Sequence, residues 1–126
     1  RWSLIPWNWK QTLGAWGESV AAQYLIEQGC EILARNQHVS HAEIDLIARF
    51  NGMLLFVEVK TRSIDTYGTA AESISERKLA LITDAALQYM QQMEQDLPWR
   101  IDVIAISGSP RAALPPQIDW YQNVTI

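Results

Sequence analysis

Four charged residues in one short stretch could do chemistry together. Glu43 and Asp45 sit two positions apart, and so do Glu58 and Lys60, in HAEIDLIARFNGMLLFVEVKTR, residues 41–62. Carboxylates that converge can bind a hard divalent cation or share a proton, and a lysine beside them can offset charge on an anionic reacting group. Whether they converge depends on what carries them. Both runs alternate apolar and polar residues, as half-buried strands do, and Asn51-Gly52 between them signals a two-residue type I′ turn, because both residues tolerate positive φ. With Phe50 and Met53 flanking the turn, Asp45 should face Glu58 and Glu43 should face Lys60, on one side of the hairpin with Ile47 and Phe56. Ile44, Leu46, Ala48, Leu55, Val57 and Val59 then point the other way, into a core.

Directly opposed side chains have Cβ atoms about 5 Å apart, and two negative charges at that distance repel by about 3 kcal/mol in an effective dielectric near ~20. A shared proton, a nearby lysine or a bound divalent cation would each relieve Asp45 and Glu58. Lys60 beside Glu58 is the plainest of these, and a salt-bridge lattice accounts for Glu43 with Lys60. It still leaves a single lysine to serve the hairpin's three acids. A cation between the carboxylates resolves that imbalance, with a solvated charge cluster as the competing reading.

The elements around the hairpin follow from periodicity. Leu13, Trp16, Val20, Tyr24 and Leu25 recur at helical spacing, Thr12 is placed to cap the start and Gly29 to stop the end, which predicts a helix over about 13–28. CEILARN reads as a short strand before the hairpin. SIDTYGTAA is a polar loop, and Ser73 with Glu76 forms a capping-box pattern ahead of a second helix over about 75–94, whose apolar face is Leu79, Ile82, Ala86, Leu87 and Met90. WRIDVIAI is a β-rich run typical of a strand covered on both faces, SGSPRAALPPQ is a loop, and IDWYQNVTI is a last edge strand. The predicted order is α, β, β, β, α, β, β. An antiparallel hairpin followed by a helical crossover implies a mixed sheet flanked by helices, an α/β domain.

The bulk numbers limit the alternatives. A chain of 126 residues with 48% hydrophobic content suits one domain, here 13–126, preceded by an irregular tryptophan-rich arm over 1–12. Trp2, Trp7 and Trp9 in that arm read as anchors on the domain's own surface rather than as base-stacking groups. No apolar run is long enough to cross a bilayer and no signal-peptide pattern opens the chain, so a soluble, cytoplasmic protein without a membrane partner is expected. The lone Cys30 reads as a small buried hydrophobe. A net charge of -4 and a pI near 5.0 argue against a broadly basic nucleic-acid surface. A local one remains open, because Arg62, Arg77 and Lys78 lie close in sequence and a cation would neutralise part of the acid excess.

Asp45 followed by the triplet EVK, Glu58-Val59-Lys60, resembles the PD-(D/E)XK nuclease superfamily. The wider string GAWGESVAAQYLIEQG, EILARN, EIDLIA, LLFVEVKTR, YGTAAESISERK and IDVIAI is similar to the small YraN-like family of predicted endonucleases, themselves distantly similar to archaeal Holliday junction resolvases. That resemblance runs from Gly14 to Ile106 and implies a restriction-endonuclease-like αβββαβ core. It implies that Asp45 and Glu58 hold Mg²⁺ or Mn²⁺, with the Val59 carbonyl as a further ligand and Glu18, in WGES of the first helix, joining through water. Lys60 would orient or help deprotonate the attacking water. Thr61, Arg62 and Lys78 would meet nucleic acid, and Glu43 would support the site as an extra ligand or as the partner of Lys60. Asp102 matches the pattern too, but within a buried strand it reads as the holder of a hydrogen-bond network. The family pattern carries glycine where this chain has Ala42, and His41 before it shares the parity of the acids while reading as a surface histidine.

The function expected from all this is metal-dependent hydrolysis of DNA phosphodiester bonds, with branched or structured DNA suggested by the relationship to resolvases alone. The alternative is a non-catalytic module that keeps the nuclease fold and binds nucleic acid or a protein. A homodimer is compatible with either and required by neither.

Overall fold

A computed structural model describes residues 12–62 and 74–124. Its elements run α1 (Leu13–Glu27), β1 (Glu31–Val39), β2 (Ala42–Phe50), β3 (Met53–Arg62), α2 (Glu76–Gln92), β4 (Trp99–Ser107) and β5 (Gln117–Tyr121). This is the order expected from the sequence. The strands form one sheet in the order β1-β2-β3-β4-β5, antiparallel throughout except for the parallel pair β3 and β4. That exception follows from α2, which carries the chain back along the sheet so that β4 must run in the direction of β3. The α/β class and the mixed sheet flanked by helices are as predicted. The tryptophan-rich arm, the loop after Arg62 and the capping residue Ser73 lie outside the described residues.

Local chemistry sets the element ends. Thr12 caps α1 by accepting a hydrogen bond from the Ala15 N–H at 3.1 Å, and Gly29, with φ of +98°, lets the chain leave the helix so that the Cys30 N–H reaches the Leu25 carbonyl at 2.9 Å. The cap of α2 is Ser75 rather than Ser73: its hydroxyl accepts from the Lys78 N–H at 3.1 Å, and the helix begins one residue later. Asn51 and Gly52 have φ of +52° and +75°, the pair of left-handed residues that a type I′ turn needs. β5 is shorter than the run IDWYQNVTI suggested. At Asn123 the backbone turns to positive φ and bonds inward, its N–H donating to Asp102 Oδ1 and the Val124 N–H to the Ile101 carbonyl, which ends the ladder.

The sheet is covered on both faces. Beneath α1, Trp16, Val20 and Leu25 pack on Leu46, Leu55, Val57, Ile104 and Ile106. Beneath α2, Ile82, Ala85 and Ala86 pack on Ile47, Leu54, Phe56 and Ile101. Leu87, expected on the buried face of the second helix, is 47% exposed, because Ala85 takes that place against the sheet. Cys30 is buried in the α1 core, as its type suggested. Among the described residues no helix is long and apolar enough to cross a membrane.

One residue departs from the predicted faces in a way that shapes the site. Ile44 should share a face with Leu46 and Ala48, yet it joins the α2 core beside Ile47. Alternation therefore breaks between Ile44 and Ile47, where Asp45 lies. The ladder from β2 to β3 keeps the predicted register from Phe50–Met53 to Leu46–Val57. The ladder to β1 runs from Arg35–Leu46 to Gln37–Ile44 across Asn36, whose φ is +49°. Pairing of β2 with β3 stops at Leu46–Val57, which leaves a gap in the ladder between two neighbours of the sheet.

Candidate active site

The gap is filled by side chains. Asp45 turns its carboxylate across it, and Oδ2 accepts a hydrogen bond from the Val59 N–H at 2.9 Å, replacing the strand acceptor that β2 no longer supplies. The acid is thereby fixed beside Glu58, whose negative charge acts on it. Burial, and next the negative charge of Glu58, push Asp45 up to about 7, while the Val59 N–H pulls the other way. The charge of Glu58 therefore opposes ionisation of Asp45, the conflict that the hairpin spacing suggested. The ladder stops one pair short of Asp45 and Glu58, so they meet through side chains rather than as paired strand positions.

Glu58 is the most deeply placed acid of the group, 3% exposed on the α2 side of the sheet. Its Oε2 faces Lys60 Nζ at 3.4 Å and Lys78 Nζ, from the first turn of α2, at 2.6 Å. The hydrogen bond to Glu58 is the main reason the Lys78 ammonium is held above its ordinary range. Lys60 is therefore the partner of Glu58, not of Glu43 as the regular hairpin predicted. Where β2 leaves β3, the neighbour of Glu43 is β1: Glu43 Oε2 lies 3.3 Å from His38 Nε2, directly across that ladder.

Glu18 reaches the site from the opposite face. With its amide nitrogen turned toward the acids, Asn36 donates to Glu18 Oε1 at 2.8 Å and to Glu43 Oε1 at 3.0 Å, tying helix α1 to the start of β2. Burial raises the Glu18 pKa most, the Asn36 hydrogen bond lowers it, and Glu43 and Glu58 add to the rise. Among the described residues no three His, Cys, Asp or Glu side chains gather closely enough to chelate a metal unaided. Asp45 lies beside Glu58, and Glu18 acts on both by its charge from α1.

The remaining expectations divide by strand face. Thr61 packs against Gly17 of α1, where an added Cβ would overlap the threonine hydroxyl. It sits on the side away from Lys78, and its neighbour Arg62 is half-buried at the end of β3. His41 is exposed and, with Glu43, Asp45, Arg77, Lys78 and Leu81, lines a pocket of about 410 Å³ between the start of β2 and α2. Asp102 is fully buried and collects Arg100 Nε, Trp120 Nε1 and the Asn123 N–H at 3.0, 2.9 and 2.9 Å, the network its position suggested. Asn36 was missed from the sequence. Its only signal was an asparagine inside a strand, a residue that accepts positive φ where others do not.

A protein-family signature described as "Uncharacterised protein family UPF0102" matches residues 17–106, which hold Glu18, Asp45, Glu58, Lys60 and Lys78. The chain belongs to the UPF0102 family. A UPF0102 protein of Neisseria meningitidis is 44% identical over 119 residues, covering 94% of this chain and 96% of that one. One from Roseiflexus castenholzii is 45% identical over 102 residues, 79% of this chain and 82% of its own. UPF0102 is the YraN-like family whose motifs the sequence resembles, and it is PD-(D/E)XK nuclease-like. A solved structure of Pyrococcus furiosus SfsA in complex with Ca²⁺ aligns at 13% identity with a TM-score of 0.33, over 90% of this chain and 63% of that one, a likeness too low to bear on function.

Proposed function

We propose that this UPF0102 protein is a metal-dependent endonuclease that hydrolyses DNA phosphodiester bonds, on branched or otherwise structured DNA. The observation that carries the reading is the meeting of Asp45 and Glu58 in the gap between β2 and β3, with Lys60 on the same carboxylate. The donor set fits a hard divalent cation. Two neighbouring carboxylates whose charges oppose one another offer oxygen ligands whose repulsion a doubly charged ion would relieve. Asp45 and Glu58 would hold Mg²⁺ or Mn²⁺, with the Val59 carbonyl and, through water, Glu18 completing the set.

Such an ion, when bound, supplies Lewis-acid polarisation of a phosphoryl oxygen and a water of lowered pKa. The chain's own groups do the rest. The Val59 N–H fixes the Asp45 carboxylate, so that ligand pays little ordering entropy on binding. Lys60, only 27% exposed beside Glu58, would offset charge that develops on the phosphate and orient the attacking water. Arg62 and Lys78, on the α2 side, serve the phosphates that flank the scissile one. Thr61 acts indirectly by seating α1, and with it Glu18, close to β3.

The test is cleavage of linear, flapped and four-way DNA with Mg²⁺ or Mn²⁺ by the wild type, Asp45→Asn and Lys60→Ala. Metal-dependent cleavage lost in both variants is the expected outcome. DNA binding without cleavage by the wild type would replace this reading with that of a non-catalytic binding module.

A further inference from the structure

Lys78 is placed against its local electrostatics. It lies in the first turn of α2, just after the Ser75 cap, where the positive end of the helix dipole disfavours a cation. Its ammonium nevertheless makes the shortest of the ion pairs around the site, 2.6 Å to Glu58 Oε2, on an oxygen that Lys60 already approaches at 3.4 Å. Two ammonium groups therefore crowd one carboxylate oxygen, while the acid next to it, Asp45, is held by the backbone N–H of Val59. The two lysines differ in freedom. Lys60 is held in a central strand and is mostly covered, whereas Lys78 is 46% exposed on a long stem and borders the pocket of about 410 Å³ beside β2.

We propose that Lys78 is a tethered placeholder cation: it occupies Glu58 in the metal-free protein, yields that oxygen to an entering divalent ion, and swings into the adjoining pocket to meet a phosphate of bound nucleic acid. The inference rests on the metal-dependent reading above. It accounts for why the α2 lysine, and not only the strand lysine, contacts a metal-ligand oxygen. It also keeps the deep acid Glu58 paired when no metal is present, since an uncompensated buried charge is costly. Each incoming ion must then compete with an intramolecular cation, so metal affinity is held below what the two carboxylates alone would give. Arg77, the next residue along, lines the same pocket without an ion pair to Glu58, and serves as the control for charge in the neighbourhood.

The experiment is calorimetric titration of Mn²⁺ into the full chain, for the wild type, Lys78→Met, Lys78→Arg and Arg77→Met, with circular dichroism to establish that each is folded. Lys78→Met should bind Mn²⁺ about tenfold or more tightly, a difference of about 1.4 kcal/mol. Lys78→Arg, which keeps a cation on Glu58, should bind no more tightly than the wild type, and Arg77→Met should change affinity by less than about twofold, because exposed charges without contact are screened. Lys78→Met should at the same time weaken binding of four-way DNA in Ca²⁺. Equal Mn²⁺ affinity in the wild type and Lys78→Met would overturn the placeholder role, as would an equal gain in Arg77→Met. Failure of all four proteins to bind Mn²⁺ would instead overturn the metal-dependent reading on which it rests.

Discussion

Replacing Asp45 by asparagine should stabilise the metal-free protein while removing its capacity to hold a cation. The side chain is partly buried, fixed by the Val59 N–H and pressed against Glu58, and its pKa is pushed from 3.8 up to about 7. Asparagine keeps an oxygen for the Val59 N–H and can turn its own N–H toward Glu58, so the shape and the Val59 hydrogen bond survive without the charge. At about 1.4 kcal/mol per pH unit, the rise in pKa corresponds to about 4 kcal/mol of unfavourable free energy once Asp45 ionises, and partial exposure reduces this to about 3 kcal/mol. The sign follows from proton counting. Between about pH 4 and 7 the folded protein keeps a proton on Asp45 that the unfolded chain has released, so wild-type stability falls as pH rises through that window and is level above it. The gain in Asp45→Asn should be small near pH 4, grow across the window, and reach about 3 kcal/mol at pH 8, or roughly 10 °C in melting temperature. Urea unfolding in EDTA at pH 4.5, 6 and 8 reads it out directly. A variant less stable than the wild type at pH 8, or equally stabilised at all three, would show that the carboxylates do not oppose one another as described.

Three further outcomes follow from neighbouring contacts. Gly17→Ala should cost about 1–3 kcal/mol in urea unfolding, because its Cβ would overlap Thr61, and adding Thr61→Ala should recover part of that loss; additive losses would show that the two residues are not in contact. Asp102→Ala should cost about 3–5 kcal/mol, since it strands the Arg100 guanidinium, the Trp120 indole N–H and the Asn123 N–H at a fully buried site, and a loss below about 1 kcal/mol would contradict that network. Asn36→Ala should raise the Glu18 pKa further, as followed by carboxyl ¹³C titration, because it removes the hydrogen bond that holds that acid down against burial and its neighbours; an unchanged value would place the Asn36 amide elsewhere.

Much of this protein was legible before any coordinates. Helical spacing from Leu13 onward, the Thr12 cap, the Gly29 stop and the Asn51-Gly52 turn are local signals, set by one residue and its near neighbours, and they yielded every element in order. The turn alone carried the register as far as Leu46–Val57, because a two-residue loop leaves the strands no freedom to slip. It also singled out Asp45, Glu58 and Lys60 as one chemical group. What the residues alone could not reveal begins at Asp45, just beyond the last pair of the β2–β3 ladder. That break depends on β1, through the left-handed Asn36, and on the competition between two cores for Ile44, contacts that no alternation within a single hairpin contains. Tertiary structure decided that Asp45 would hold the Val59 N–H, that Glu43 would turn to His38 and Asn36, and that a lysine from α2 would reach Glu58 ahead of the one beside it in sequence. Local spacing determines which groups can share a face; only the packing of helices on both sides of the sheet determines which of them meet.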